Sequence, residues 1–219
     1  MKVAIYTVNF GNYRNETNNI NKKNHYYDKD IDYYLFTDNN DIKSENWKII
    51  LVPLKKKLDF MDENRHTAKY YKWIRPYILK KYDIIIYIDT KALWRLKFTK
   101  EKIIKLFNNK NKHNIYFLKH PKRSNPIQEL KKTIKCNKEN KTNYKKFKKI
   151  LKSINFKSKL PDSAIRIYRN TNKNFKLLKQ VYNKELKFKL RRDQNCINYV
   201  FYLNKKESIL VFFKPKHLY

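Results

Sequence analysis

Residues Tyr82–Trp94 read YDIIIYIDTKALW, and this stretch decides the fold. Five of the six residues from Ile84 to Asp89 are apolar or aromatic, the run is too short for a helix, it is rich in β-branched side chains, and an acid ends it. It reads as a buried central strand. Strands that are apolar on both faces belong to parallel or mixed sheets covered by helices, and such sheets carry their chemistry just beyond the carboxyl ends of the strands. Asp89 is therefore expected at the reaction centre.

Working outward, strands alternate with helical segments almost throughout. Lys2–Asn9 is a β-branched first strand that stops at Phe10-Gly11-Asn12, where the single glycine of the chain sits. That glycine is read either as an ordinary turn or as a close approach of backbone to a ligand. Asn15–Lys29 is polar and reads as a loop. Ile31–Thr37 is a second strand followed by Asp38, a carboxylate that either holds a ribose or base edge or caps a turn. Trp47–Val52 is a third strand, stopped by Pro53.

From Asn64 to Lys80 the period becomes helical, with Arg65, Lys69 and Lys72 on one face and a break at Pro76. After the central strand come a helix from Thr99 to Asn108, a strand Asn114–Leu118 running into His120-Pro121-Lys122-Arg123, and a helix Pro126–Lys135 carrying Glu129. A very basic amphipathic helix spans Asn137–Ser153, Asp162 precedes a strand Ser163–Arg169, and a helix covers Asn172–Leu186. Asp193-Gln194 opens a helix Asn195–Leu203, and a strand Ser208–Phe213 leads to His217. The expected architecture is an α/β sandwich with a mainly parallel mixed central sheet, forming one domain over residues 1–219.

The chain carries 53 Lys and Arg against 19 Asp and Glu, a formal charge of +34. Such a field attracts nucleic acid, anionic membranes and phosphorylated small molecules alike, and does not choose among them. Lys, Asn, Ile and Tyr are all over-represented, so much of the charge reads as compositional drift on a solvated surface. Cys136 and Cys196 are far apart without metal-ligand spacing, which gives no zinc or disulfide framework and points to a reducing compartment. The amino terminus lacks the continuous apolar stretch of a leader, and no run approaches the ~18 apolar residues of a membrane span. A soluble, cytoplasmic protein is expected, with any membrane contact peripheral and directed at anionic lipid.

Taken together, Gly11, Asp38, Asp89 and His120 lie at strand ends, later segments add Asp162, Asp193 and His217, and cations surround them. A nucleotide-sugar site needs these residue types. The order of VAIYTVNFGNY, DYYLFTDN, Trp47, RHTAKYYK, YDIIIYIDTKALW, KHPKR with Glu129 after it, and RRDQNCINYV resembles the DUF616 or TOD1/MUCI70-like glycosyltransferase-like proteins of GT-A type. The resemblance spans nearly the whole chain. It implies a GT-A sheet and transfer of a sugar from a nucleotide-sugar donor, a UDP-sugar foremost, to a glycan or other hydroxyl acceptor.

By position, the resemblance assigns Val8, Phe10, Gly11 and Asp38 to the nucleoside, Arg65 and Lys69 to the diphosphate, and His120, Arg123 and Gln194 to the sugar or acceptor. An inverting course needs a general base, for which Asp193 is the first candidate with Glu129 and Asp162 behind it; a retaining course does not need that base in the same place. Asp89 stands at the first position of the GT-A Asp-x-Asp motif, but the third position here is Lys91. Two accounts follow. Either Asp89 and His217 hold a Mn²⁺ or Mg²⁺ ion, or Lys91 and the helix cations neutralise the diphosphate without one. Two other readings compete: a basic nucleic-acid-binding protein, against which stand the dispersed cations, the lack of an RRM, KH or zinc-finger pattern and the acids at strand ends, and a transferase-like module without activity.

Overall fold

The computed structural model describes residues 1–21, 25–95, 97–108, 114–136, 140–156, 159–206 and 211–213. A seven-stranded sheet has the order β3-β2-β1-β4-β6-β5-β7. The strands are β1 (Val3–Asn9), β2 (Asp32–Thr37), β3 (Lys48–Leu51), β4 (Ile84–Ile88), β5 (Ile115–Lys119), β6 (Pro161–Arg169) and β7 (Val211–Phe213). β1 pairs in parallel with both β2 and β4, β2 with β3, and β5 with β7, while β6 runs antiparallel to β4 and β5. The expected mixed, mainly parallel sheet is what the chain forms.

β4 is central, and all five of its residues are buried. Ile84, Ile86 and Ile88 face one apolar layer with Ile103 and Phe107 of α2 (Lys100–Asn108), while Ile85 and Tyr87 face the other. That second layer is built from α1 (Glu63–Trp73), α3 (Pro126–Lys135), α4 (Lys141–Lys152), α5 (Asn172–Lys187) and α6 (Gln194–Leu203). Burial on both faces is why the strand is a continuous apolar run and not an alternating one. Each fully buried Ile of this kind contributes about 1.5–3 kcal/mol relative to exposure.

Local signals set the helix limits. Asp62 caps α1 by accepting the Arg65 amide at 2.8 Å, and the helix stops at Ile74, short of Pro76. Asn125 caps α3 with Pro126 in its first turn, and Asn140 and Thr171 cap α4 and α5. Asn15–Lys29 departs from the expected loop: Tyr13–Asn21 winds into 3₁₀ turns, with Arg14 and Asn15 in the left-handed region. Asn tolerates that region well, and Ile20 anchors the segment in the core. The first residues expected in α4 (137–139) and in the last strand (208–210) lie outside the described residues. No helix among the described residues is long and apolar enough to cross a membrane.

Topology brings the chemistry to one edge. β1, β2, β4 and β5 end there with Phe10, Asp38, Asp89 and His120 just beyond them, and the reversed β6 delivers its first residues, Asp162 and Ser163, to the same edge. β1, flanked by β2 and β4, is where the strand order turns, the place at which open α/β sheets form a crevice.

Candidate functional site

A cavity of about 590 Å³ opens at this edge between the end of β1, the start of α1, the end of β4 and the start of α6. Its lining is polar and its volume is that of a small-molecule site. Of the expected residues, Val8, Phe10, Gly11, Arg65, Lys69, Asp89, Lys91, Asp162, Asp193 and Gln194 line it together.

The floor is an ion cluster built from α1 upward. Lys69 and Lys72 are three residues apart, so both project from the helix face turned toward the sheet edge. Lys72 Nζ lies 2.9 Å from Asp193 Oδ2 and 3.3 Å from Asp89 Oδ1, and donates to Ser163 Oγ at 3.2 Å. Lys69 Nζ lies 2.9 Å from Glu185 Oε1 and 3.2 Å from Asp193 Oδ2. Ser163 donates to Asp193 Oδ1 at 2.8 Å, and the Tyr87 hydroxyl donates to Asp89 Oδ1 at 2.7 Å. Asp193 is thus engaged on both oxygens, whereas the second oxygen of Asp89 faces Lys91 at 3.8 Å. Although Asp193 stands at the start of α6, its side chain does not cap the helix; it turns to the ammonium groups instead.

Burial by itself raises a carboxyl, but Lys69 and Lys72 outweigh it at Asp193 and hold that group well below the usual range. Glu185 shows the other outcome. Burial pushes it up to about 7, and the pull of Lys69 does not cancel this because the Asp193 charge pushes the same way. The two acids compete for the ammonium groups, and Asp193, which touches both, wins. Burial also lowers Lys69, yet Asp193 and Glu185 together raise it.

A pH prediction follows from Glu185. Its folded pKa, about 7, lies above the ordinary 4.5, so the folded chain binds the extra proton between these values and stability falls as pH rises through that window. Asp193 has the opposite sign: its contribution is present above its ordinary range and is lost in acid. Glu185→Gln should remove the first slope, gaining on the parent by up to about 1.4 kcal/mol per pH unit between roughly pH 5 and 7. Melting curves of both proteins at pH 5 and pH 7.5 test this, and a gap that does not change with pH rejects it.

Gly11 adopts φ +61°, and a Cβ there would meet Asn64 Nδ2 at 2.1 Å. The glycine lets the β1 loop press on the start of α1. Its amide donates to both Asp38 oxygens at 3.0 and 3.2 Å, so Asp38 fixes this loop from outside the cavity lining. Thr90, between Asp89 and Lys91, donates to Glu16 at 2.8 Å and ties the 3₁₀ segment to the site.

His120, Arg123 and Glu129 form a separate cluster that does not line the cavity. Glu129 is fully buried, ion-paired to Arg123, and 3.7 Å from Arg192, so it reaches the cavity only through that rim residue. The His120 Nδ1 accepts the Lys122 and Arg123 amides at 3.1 Å each, and burial followed by the Arg123 charge lowers its pKa. His217 lies outside the described residues.

The sequence gives Lys72 no part beyond that of the helix cations around a diphosphate, and it does not single out Glu185, Glu16 or Arg166. Arg166 is buried on β6, donating to the Lys72 carbonyl at 2.5 Å and the Tyr6 hydroxyl at 3.3 Å, with its guanidinium 4.4 Å from the Trp73 ring centre. It holds the end of α1, and with it Lys72, against the sheet. An arginine inside an apolar strand was the available signal. Among the described residues no group of three His, Cys, Asp or Glu side chains gathers as a metal site.

No protein-family model and no curated protein matches the sequence. Among solved structures, the apo bifunctional glycosyltransferase WbbM superposes with a TM-score of 0.54 at 10% identity, covering 97% of this chain and 38% of that one. The galactosyltransferase LgtC with donor and acceptor sugar analogues gives 0.49 at 10% identity over 95% of this chain and 72% of that one. Apo GlyE of Streptococcus pneumoniae gives 0.49 at 11% identity, 99% and 46%. The chain thus spans well under half the length of the first of these, and shares with it the mixed α/β fold of GT-A glycosyltransferases.

Proposed function

We propose that the protein is a nucleotide-sugar-dependent glycosyltransferase, related to the DUF616 group, with its donor in the cavity between α1 and the end of β4. The observation that carries the reading is the cavity's division of charge: Asp89 and Asp193 at the floor are neutralised by Lys69 and Lys72, while Arg65, Lys91 and Arg192 stand around the opening. A diphosphate fits the cationic rim, and the carboxylate with an oxygen still turned to the cavity, Asp89, suits the transferring sugar or its acceptor hydroxyl. The β1 end, Val8 to Gly11, suits the nucleoside.

Within this reading the roles shift from those expected. Asp193 acts as an electrostatic clamp, because a carboxylate held well below its usual range accepts protons poorly. Glu129 is a support for Arg123 and Arg192. Asp162, which lines the cavity and accepts the Ala164 amide at 3.0 Å, stays a candidate for contact with the acceptor.

The test is thermal unfolding of the purified chain with UDP, GDP, CMP and their sugar conjugates, beside heparin and single-stranded DNA. A ligand at a hundredfold its Kd stabilises by about 2.7 kcal/mol, a shift of several degrees. Selective stabilisation by one nucleotide is the expected result. An equal response to every polyanion would show that the +34 charge governs binding, and would remove the transferase reading.

A further inference from the structure

GT-A proteins of the kind this chain resembles hold the donor diphosphate through a divalent ion on paired carboxylates. The floor of this cavity does not fit such an ion. Asp89 Oδ1 is taken by Tyr87 and Lys72, both oxygens of Asp193 are taken by Ser163, Lys69 and Lys72, and Asp89 Oδ2 looks onto the Lys91 ammonium. A Mg²⁺- or Mn²⁺-sized ion needs several oxygen ligands in fixed geometry. Among the described residues, Asp89 and Asp193 leave it one carboxylate oxygen, Asp89 Oδ2, on a side chain that has ammonium groups at 3.3 and 3.8 Å.

We propose that Lys72 stands in place of the divalent ion, its buried ammonium bridging Asp89 and Asp193, so that the donor diphosphate is held without metal. This rests on the donor reading above and assigns it a mechanism of charge balance. A bridging ion has two tasks. It cancels the carboxylates that would repel a diphosphate, and it contacts the phosphate oxygens. Lys72 performs the first, as a positioning residue whose own orientation is set by Ser163 and whose helix end is pinned by Arg166. Arg65 and Lys91, which line the cavity from α1 and from the segment after β4, perform the second. The substitution also accounts for Lys91 at the position where a second carboxylate would complete a metal pair: with a cation already bridging the acids, a further acid would restore the repulsion.

Titration calorimetry of the full chain with the nucleoside diphosphate selected in the screen, in EDTA and in Mn²⁺, tests the proposal. The expected Kd is the same in both within about twofold. Lys72→Gln should weaken binding in EDTA by about tenfold or more, whereas Lys72→Arg should retain most of the metal-free binding. A parent protein that tightens about tenfold or more on adding Mn²⁺ overturns the inference and leaves the donor reading standing. Wild-type affinity of Lys72→Gln in EDTA also overturns it. Binding of no nucleotide under either condition removes the donor reading itself. If Lys72→Gln does not fold, the comparison on the parent decides alone, with Lys91→Ala, an exposed site, expected to weaken binding several-fold in EDTA.

Discussion

Asp193→Ala is expected to be the most destabilising single substitution in the site, lowering unfolding free energy by about 3–5 kcal/mol. The residue is 3% exposed and, among the described residues, is the one acid ion-paired to both Lys69 and Lys72. Its removal leaves two buried ammonium groups to share Glu185 and Asp89, and a buried charge without its partner costs far more than the pair itself contributes. Below about pH 7 part of the loss should be recovered, because there burial, with the Asp193 charge acting against the pull of Lys69, holds Glu185 neutral. With Asp193 gone, Glu185 should ionise at lower pH and pair with Lys69. Asp193→Asn keeps the shape and the bond from Ser163, so it should cost less than the alanine variant. Denaturant unfolding of the three proteins at pH 7.5 checks the order, and an alanine variant within about 1 kcal/mol of the parent would remove Asp193 from the clamp.

The same cluster shows where reading a sequence stops. The central strand was legible because hydrophobic burial on both faces leaves an apolar run that no surface element shows, and the abrupt Asp89 marked its end. The α1 stripe was legible because a period of three and four is a property of the helix alone, and Arg65, Lys69 and Lys72 do line one cavity. What could not be read was which of those cations leaves water. Lys72 is buried by Asp89 and Asp193, partners 17 and 121 positions away, and in a chain of 53 basic residues nothing local separates it from Lys80 or Lys81. Glu185 was hidden for the same reason. The direction of β6 was equally invisible, since residue alternation is unchanged by reversal, yet that reversal brings Ser163 to Asp193. His120, Arg123 and Glu129 contact one another outside the cavity lining, which the sequence could not show, because charged residues close together after a strand look alike whether they face a ligand or one another.

Asp89→Asn should do the reverse of Asp193→Ala, removing function while leaving the fold. Its side chain is 23% exposed, and the backbone amide at this position donates to the Ala164 carbonyl at 2.8 Å, a bond the substitution keeps. Lys72 retains Asp193, so no buried ammonium loses its last partner, and the stability change should stay within about 1 kcal/mol. Nucleotide binding should hold or tighten slightly, because a negative charge beside the diphosphate is removed. Transfer should fall by about 10²–10³, the usual effect of deleting one preorganised charge at a reacting centre. That combination separates chemistry from scaffolding: a loss confined to turnover means that Asp89 acts on the sugar or the acceptor hydroxyl in the transition state. If melting temperature and nucleotide affinity fall together with turnover, Asp89 belongs with Asp193 in the support of the cavity, and the reacting carboxylate has to be sought at Asp162 on the facing strand.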